Sequence, residues 1–363
     1  MLLPSRPVPV DAGAKIRNAG LVGLLREVHD VDVLAFGDAP ARRPANRVRD
    51  LVSSNLPDMA QRLWSRDFLE ALRNRLHSRQ YNAVQAEGVE MARYLGLVPP
   101  EQCIYDAHNA EFLLQERLSG SGSPLGRLYS RLQARRLARF EGTVVRRSRM
   151  TTAVSEHDAN QLLALAGGAA NVRVIPNAIE VADYPFRAPT GQMQANLLFV
   201  GKLDYRPNAE ALSWFLREVL PDLDARLFAV GASPPGGLVR HGQHDSRVAV
   251  TGYVADERPY FARCAALVLP VRTGGGSRLK ALVAMASGLP IVSTRLGMEG
   301  LEAEAGTHFI QADSAAEWRD SLQRVLGDGE LRRQLACNAR ALVEQRYDWS
   351  AVRDSVHSAY AWL

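Results

Sequence analysis

A chain of 363 residues, 47% hydrophobic and 23% charged, is too long for one ordinary core and suits two domains, and it has no apolar run long enough to span a membrane. Its net charge of +5 favours anionic partners, yet no zinc-ligand spacing, aromatic RNA-binding signature or internal repeat points to nucleic acid. The opening "MLLPSRPVPVDAG" lacks the apolar stretch of a secretion signal, and Cys103, Cys264 and Cys337 are odd in number and widely spaced; both features predict a cytoplasmic protein whose cysteines pack rather than pair.

Strand-like runs appear at 31–36, 81–87, 103–108, 150–155 and 172–177, then at 196–201, 225–231, 248–254, 265–271 and 291–294. Helical periodicity fills many of the gaps, as at 14–28, 207–219, 278–287 and 315–326. This alternation predicts parallel sheets covered by helices on both faces. The stretch "EVADYPFRAPTGQMQAN" (180–196) carries prolines, a glycine and little periodicity, so the linker between two such units is expected there. Ligands in these folds bind where strands end and short loops lead into helices; a cleft between the two units is the expected active site.

The stretch "PVRTGGGSRLKALVAMASGLPIVST" (270–294) reads as loop, helix and strand. Its helix opens with Arg278 and Lys280, although the unpaired amides of a helix start already make that end positive. Gly274, Gly275 and Gly276 let the backbone approach a ligand closely, and a phosphate or diphosphate would satisfy both the amides and the two cations. A tight turn with two solvated cations is the plainer alternative. No P-loop or dinucleotide-binding glycine fingerprint is present.

At this point the residues resemble a family, the retaining GT-B glycosyltransferases of family 4 (glycosyl transferases group 1), in a bacterial polysaccharide-type branch. The stretches that carry the likeness are "GGGSRLKALVAMASGLPIVSTRLGMEGL", "LLFVGKLDYRPNAEALSWFLREVLPDL" (197–223), "VTGYVADERPYFARC" (250–264), "VSEHDANQL" (154–162), "VIPNAIE" (174–180) and "YDAHNAEF" (105–112). The resemblance implies an α/β fold of two Rossmann-like domains facing each other across a cleft. It places an acceptor-side domain at 1–180, a linker at 181–196 and a nucleotide-sugar domain at 197–346, with a terminal helix (347–363) packing back on the first domain.

It also implies a metal-independent transfer of a sugar, of hexosyl type, from a nucleoside diphosphate to a glycan, lipid-linked or small-molecule acceptor. Lys202 after Gly201, the looser candidate Arg206, and the loop and helix start Gly274, Gly275, Gly276, Ser277, Arg278, Leu279 and Lys280 would hold the donor phosphates. His108 would act near the transferred sugar as a neutral imidazole, beside Asn109 on the acceptor side; a histidine that merely fixes a turn with Asp106 is the alternative. Gly13 would let a loop approach the substrates, with Lys15 and Arg17 on acceptor or phosphate, while Gly252, Tyr253 and Val254 would present backbone groups to the base.

Two departures stand out. Most relatives carry Glu where this chain has Val283, facing the donor ribose, and the earlier acidic position is Gly275. Valine cannot accept a hydrogen bond, so donor binding is weakened or the donor differs. A GT-B pseudoenzyme acting as a binding partner is therefore the competing class, and a sugar-nucleotide epimerase a more distant one. The chain start also retains only the end of a first strand, which predicts a shortened central strand. Finally, 127–149 holds eight arginines against one acid, a face suited to peripheral contact with anionic lipid at the inner membrane.

Overall fold

The computed structural model describes residues 1–6, 13–37, 53–120, 124–189, 193–274 and 278–363. The chain divides into two compact units, one formed by Met1–Asn177 together with Val352–Leu363, the other by Ala178–Ala351. Each unit is built on a six-stranded parallel sheet.

In the first unit the strands are β1 (Leu2–Leu3), β2 (Leu34–Ala35), β3 (Val84–Glu87), β4 (Cys103–Ala107), β5 (Met150–Ala153) and β6 (Val172–Val174), in the order β2-β1-β3-β4-β5-β6. The order reverses between β1 and β3, and a reversal point of this kind is where α/β sheets open to ligands at their carboxyl ends. Strands β3, β4 and β5 are buried along their whole length and carry buried polar residues, Gln85, Glu87, Asp106, Thr151 and Thr152, among their apolar ones. Only two residues, Leu2 and Leu3, form β1 between β2 and β3.

The second sheet holds β7 (Asn196–Val200), β8 (Arg226–Val230), β9 (Val248–Gly252), β10 (Ala266–Leu269), β11 (Ile291–Ser293) and β12 (Ile310–Gln311), in the order β12-β11-β10-β7-β8-β9. The reversal falls between β7 and β10, so the loops after Val200 and Leu269 flank its switch point. The core below is aromatic and aliphatic: Phe199, Phe215 and Trp318 are fully buried, with Phe215 and Trp318 edge to face at 5.6 Å. The helix Leu279–Ser287 ends on Gly288 at φ 79°; a Cβ there would lie 2.5 Å from the Arg187 carbonyl, so only glycine fits.

The stretch expected as linker is partly stitched into the second unit. Ile179 N–H donates to the Tyr347 carbonyl (2.9 Å), Val181 N–H to Asp348 Oδ2 (3.0 Å) and Arg187 N–H to the Ser287 carbonyl (3.2 Å). After the helix Gly329–Arg346 the last helix, Trp349–Tyr360, leaves the second unit. Its end lies in the first unit, where Tyr360 is buried and Arg149 stacks over the Trp362 ring at 4.2 Å.

Candidate active site

Beside the switch point of the first sheet, β3 and β4 end next to each other and present Glu87, Asp106 and, one residue past β4, His108. Imidazole Nε2 lies 3.3 Å from Glu87 Oε2 and 3.4 Å from Asp106 Oδ2, both carboxylates being fully buried. Burial alone would lower the His108 pKa, but hydrogen bonds and charge from Asp106 and Glu87 outweigh it and raise it to about 10. The two carboxylates thus favour the charged ring, with both nitrogens as donors, over the neutral imidazole expected from the sequence. Gly88, at φ 76°, runs beside the ring: an added Cβ would stand 3.1 Å from Glu90 Oε2 and 3.5 Å from His108 Nδ1.

Three partners fix this cluster from behind. Arg17 Nε and Nη2 reach the two Asp106 oxygens at 2.9 and 2.7 Å, and Nη1 donates to the Ile175 and Pro176 carbonyls. Burial pushes Asp106 up, yet Arg17 dominates and holds it well below the usual carboxylate range; burial and then Asp106 push Glu87 up. Thr152 Oγ1 also donates to Asp106. Gln85 Nε2 donates to Glu87 Oε1 (2.5 Å), and Tyr360 Oη donates to Gln85 Oε1 (2.8 Å), so the last helix of the chain buttresses the site.

Arg17 therefore departs from expectation. It was read as an acceptor or phosphate ligand, but it is only 1% exposed and its guanidinium is consumed inside the first unit. Lys15 is half-buried on the same helix, which starts at Gly13. Asn109 Nδ2 donates to Glu111 Oε1 at 3.0 Å. Glu87, Asp106 and His108 are a candidate metal triad, with one ligand atom from each lying within 4.8 Å of the others. Both Asp106 oxygens are already taken by Arg17, and the guanidinium opposes a second cation, so this donor set fits a metal poorly.

In the second unit β7, β8 and β9 end in a row of glycines, Gly201, Gly231 and Gly252, at φ 142°, 151° and 71°. A Cβ on Gly231 would sit 1.9 Å from the Gly201 carbonyl, and one on Gly201 would meet Lys280 Nζ and Asn208 Nδ2 at 2.9 Å. At Gly201 the next layer lies directly on the backbone, at Gly231 the neighbouring strand end leaves no room for a Cβ, and at Gly252 the space beside the backbone is open. Lys280 Nζ occupies that layer, over the Phe199 ring at 5.2 Å and donating to Asn208 Oδ1 at 3.1 Å. Asn208 Nδ2 in turn donates to the Lys202 carbonyl (2.9 Å). Burial, then Arg278, pull the Lys280 ammonium down to about 8, with Glu257 opposing.

Arg278 caps rather than enters the helix Leu279–Ser287. Its guanidinium donates to the carbonyls of Glu299 (3.1 Å) and Leu296 (2.5 Å), which accounts for a cation at a positive helix end without any added anion. Lys202 is exposed, with Asp204 at 3.4 Å. Arg206 Nε donates to Glu210 Oε1 (2.7 Å), while Glu210 Oε2 accepts from Thr273 Oγ1 (2.9 Å) and so ties the first helix to the glycine loop. Gly274, at φ 81°, passes so close to Pro207 that a Cβ would lie 2.7 Å from its ring. Gly275, Gly276 and Ser277 lie outside the described residues. Tyr253 is exposed, Val254 half-buried, and the Gly252 carbonyl accepts from Gly231 N–H.

Leu279 and Val283 are corrections of another kind. They are 4% and 2% exposed in a helix whose residues are almost all buried, so their side chains pack in the core; only the backbone of Leu279, at the helix start, is placed to meet an anion. Asn208, Glu210, Thr273, Glu87 and Gly88 escaped the sequence reading. Asn208 and Glu210 lie in the quoted "RPNAEAL"; the i,i+4 spacing of Arg206 and Glu210 could have flagged the second, whereas nothing in the local spacing marks Asn208.

Two family models cover most of the chain: Glycosyltransferase Family 4 matches residues 20–183, and Glycosyl transferases group 1 matches residues 194–328. The chain belongs to the GT-B glycosyltransferases of family 4. Among solved structures, sucrose-phosphate synthase from Thermosynechococcus elongatus is similar to this glycosyltransferase over 99% of this chain and 98% of its own, with TM-score 0.77 and 18% identity. Anabaena HepE in complex with UDP-glucose matches over 100% and 99%, with TM-score 0.68 and 15% identity. WaaG, a glycosyltransferase involved in lipopolysaccharide biosynthesis, matches over 99% of each chain, with TM-score 0.68 and 16% identity. A Klebsiella pneumoniae protein of the cps region, uncharacterized, is 24% identical over 196 residues, half of this chain and half of that relative.

Proposed function

We propose that this glycosyltransferase moves a sugar from a nucleoside diphosphate to a glycan, lipid-linked or small-molecule acceptor of bacterial polysaccharide synthesis, with retention and without a metal. The observation that supports this best is Lys280 Nζ held over Gly201 beside the switch point of the second sheet, where a phosphate would complete its coordination. Lys280, Lys202 and the amides at the start of the helix Leu279–Ser287 would bind the diphosphate, with Arg278 shaping that helix start; Arg206 is a further contact. Stabilising charge on the leaving phosphates is the largest contribution such a site can make. The bond from the anomeric carbon to the diphosphate oxygen breaks, the acceptor oxygen bonds on the same face, and its proton passes to the departing phosphate oxygen. His108 would donate from Nδ1 to a hydroxyl of the transferred sugar.

A second reading is a donor site too weak for turnover that serves as a binding module: with Val283 packed in the core, that position offers the donor no carboxylate. A thermal-shift screen with UDP, GDP, ADP, TDP and their sugars, followed by the anomeric configuration of any product, separates the two. Stabilisation by one nucleotide sugar and an axial-to-axial or equatorial-to-equatorial product supports transfer with retention; stabilisation without product leaves the binding module.

Membrane contact is part of the proposal. No helix among the described residues is long and apolar enough to cross a membrane. The helix Pro124–Arg147, however, exposes Leu125 (81%), Leu128 (65%) and Leu132 beside Arg131, Arg135 and Arg139. That combination suits shallow insertion among anionic headgroups. Flotation with phosphatidylglycerol vesicles tests it, and equal recovery with neutral vesicles would refute it.

A further inference from the structure

Behind His108 lies an arrangement that the donor and acceptor contacts do not account for. The chain leaves β4, passes His108 and Asn109, and enters the helix Glu111–Leu118 at Ala110, which has no side chain able to cap it. Such a start leaves backbone N–H groups unsatisfied. Here three successive ones each donate to a carboxylate brought from elsewhere in the chain. Ala110 N–H reaches Asp158 Oδ1 at 3.1 Å, Glu111 N–H reaches Glu141 Oε1 at 3.4 Å, and Phe112 N–H reaches Glu141 Oε2 at 3.2 Å.

Both carboxylates are themselves fixed. Tyr105, on β4, donates its hydroxyl to Glu141 Oε1 (2.9 Å), and Ser155 Oγ donates to Asp158 Oδ2 (2.6 Å). Glu141 is fully buried on the inward face of the helix Pro124–Arg147. Burial, with Glu111 adding to it, lifts its pKa to about 8, against the three donors that favour the charged form. A carboxylate sealed from water is costly to keep. Packing alone would be served better by an apolar residue of the same size. The helix start is thereby closed to an added anion, since Glu141 already fills it.

We infer that Glu141, with Asp158, is a positioning residue: the two carboxylates clamp the 110–112 backbone from behind and so hold His108 in place for the transfer step. The inference rests on the proposed role of His108. In that reading the diphosphate contacts come from the second unit, so loosening the clamp acts on the rate of the chemical step and not on donor affinity. Misplacement of a reacting group by about 1 Å can cost a hundredfold in rate.

The test compares the full-length protein with Glu141→Gln, which keeps the volume but turns an N–H pair toward one of the backbone donors. Amide hydrogen exchange at Glu111 and Phe112, the NMR titration of the His108 ring, and kcat and KM for the donor are measured on both. The clamp predicts exchange at those two amides at least about tenfold faster, a displaced His108 titration, and kcat lowered about tenfold or more with donor KM within about twofold. Unchanged exchange and an unchanged His108 titration would overturn it, as would a loss of activity confined to KM. Should Glu141→Gln not fold, Asp158→Asn loosens Ala110 N–H alone and is read by exchange at that amide, with the same His108 titration and kinetics and the same overturning outcomes. If the parent protein transfers no sugar from any nucleotide, the proposed function fails, while exchange and the His108 titration still decide the clamp.

Discussion

The two sheets prepare their switch points in opposite ways. The first unit fills its own with side chains that answer one another: Arg17 with Asp106, Glu87 with Gln85, and His108 between two carboxylates. The second ends β7, β8 and β9 in Gly201, Gly231 and Gly252 and lays the Lys280 ammonium over the first of them, beside its switch point. One site is finished without a ligand; the other keeps a cation whose burial already lowers its pKa and which an anion would restore. Preorganised polar groups suit a region that must hold one geometry, whereas bare backbone suits one that must let a charged molecule come close.

Breaking the closed site should have the largest effect. Arg17→Ala strands a buried carboxylate and is expected to cost about 3–5 kcal/mol in denaturant unfolding at neutral pH. Asp106 is held low by Arg17, so its contribution is present above the usual carboxylate pKa and lost as pH falls. The gap between parent and variant should therefore narrow toward pH 4 and below. A gap that stays constant with pH would mean that Asp106 is not the group left unpaired.

Next in size, Val283→Glu places a carboxylate at a 2% exposed position. A loss of about 3 kcal/mol, with no gain in UDP or GDP affinity, is expected by isothermal titration and thermal unfolding. Tighter nucleotide binding at unchanged stability would instead restore the ribose role for that position.

Gly231→Ala tests the open site. A Cβ 1.9 Å from the Gly201 carbonyl, at φ 151°, forces the backbone apart and should cost about 2–3 kcal/mol. At Gly252, where nothing lies within 4 Å of an added Cβ, the cost should be only that of its φ.

Smaller still, Lys280→Ala should weaken nucleoside diphosphate binding by about 1.5–3 kcal/mol, the range for hydrogen bonds to charged groups. Because free Lys280 loses its proton near pH 8, affinity in the parent should fall as pH rises through that value. The decline should be absent in Lys280→Arg, whose guanidinium stays charged. EDTA is expected to change nothing, and loss of turnover rescued by magnesium would contradict the metal-independent reading.

Much of this architecture could be read directly from local sequence. Buried parallel strands announce themselves as apolar runs, so β7 and β10 lie inside the predicted 196–201 and 265–271. Two-residue strands such as β1 and β12 have no periodicity to read. Side-chain roles were harder, because charge is local and its partner is not. Arg17 looked like a ligand because Asp106, 89 residues away, could not be seen beside it. Glu141 passed as the one acid in an arginine-rich helix, its partners lying 29 to 36 residues back on Phe112, Glu111 and Tyr105. Val283 was assigned from the position a relative's glutamate takes, and burial reads that position differently.

The return of residues 352–363 to the first unit has a consequence for how the protein is made. Domains emerging from a ribosome tend to fold in the order they appear, yet here the first sheet waits. Gln85 is translated early and receives its hydrogen bond from Tyr360 only after the whole second unit has been synthesised. Until then Gln85, which bonds Glu87 beneath His108, lacks this partner, so the network under the imidazole closes only after the second unit has been made.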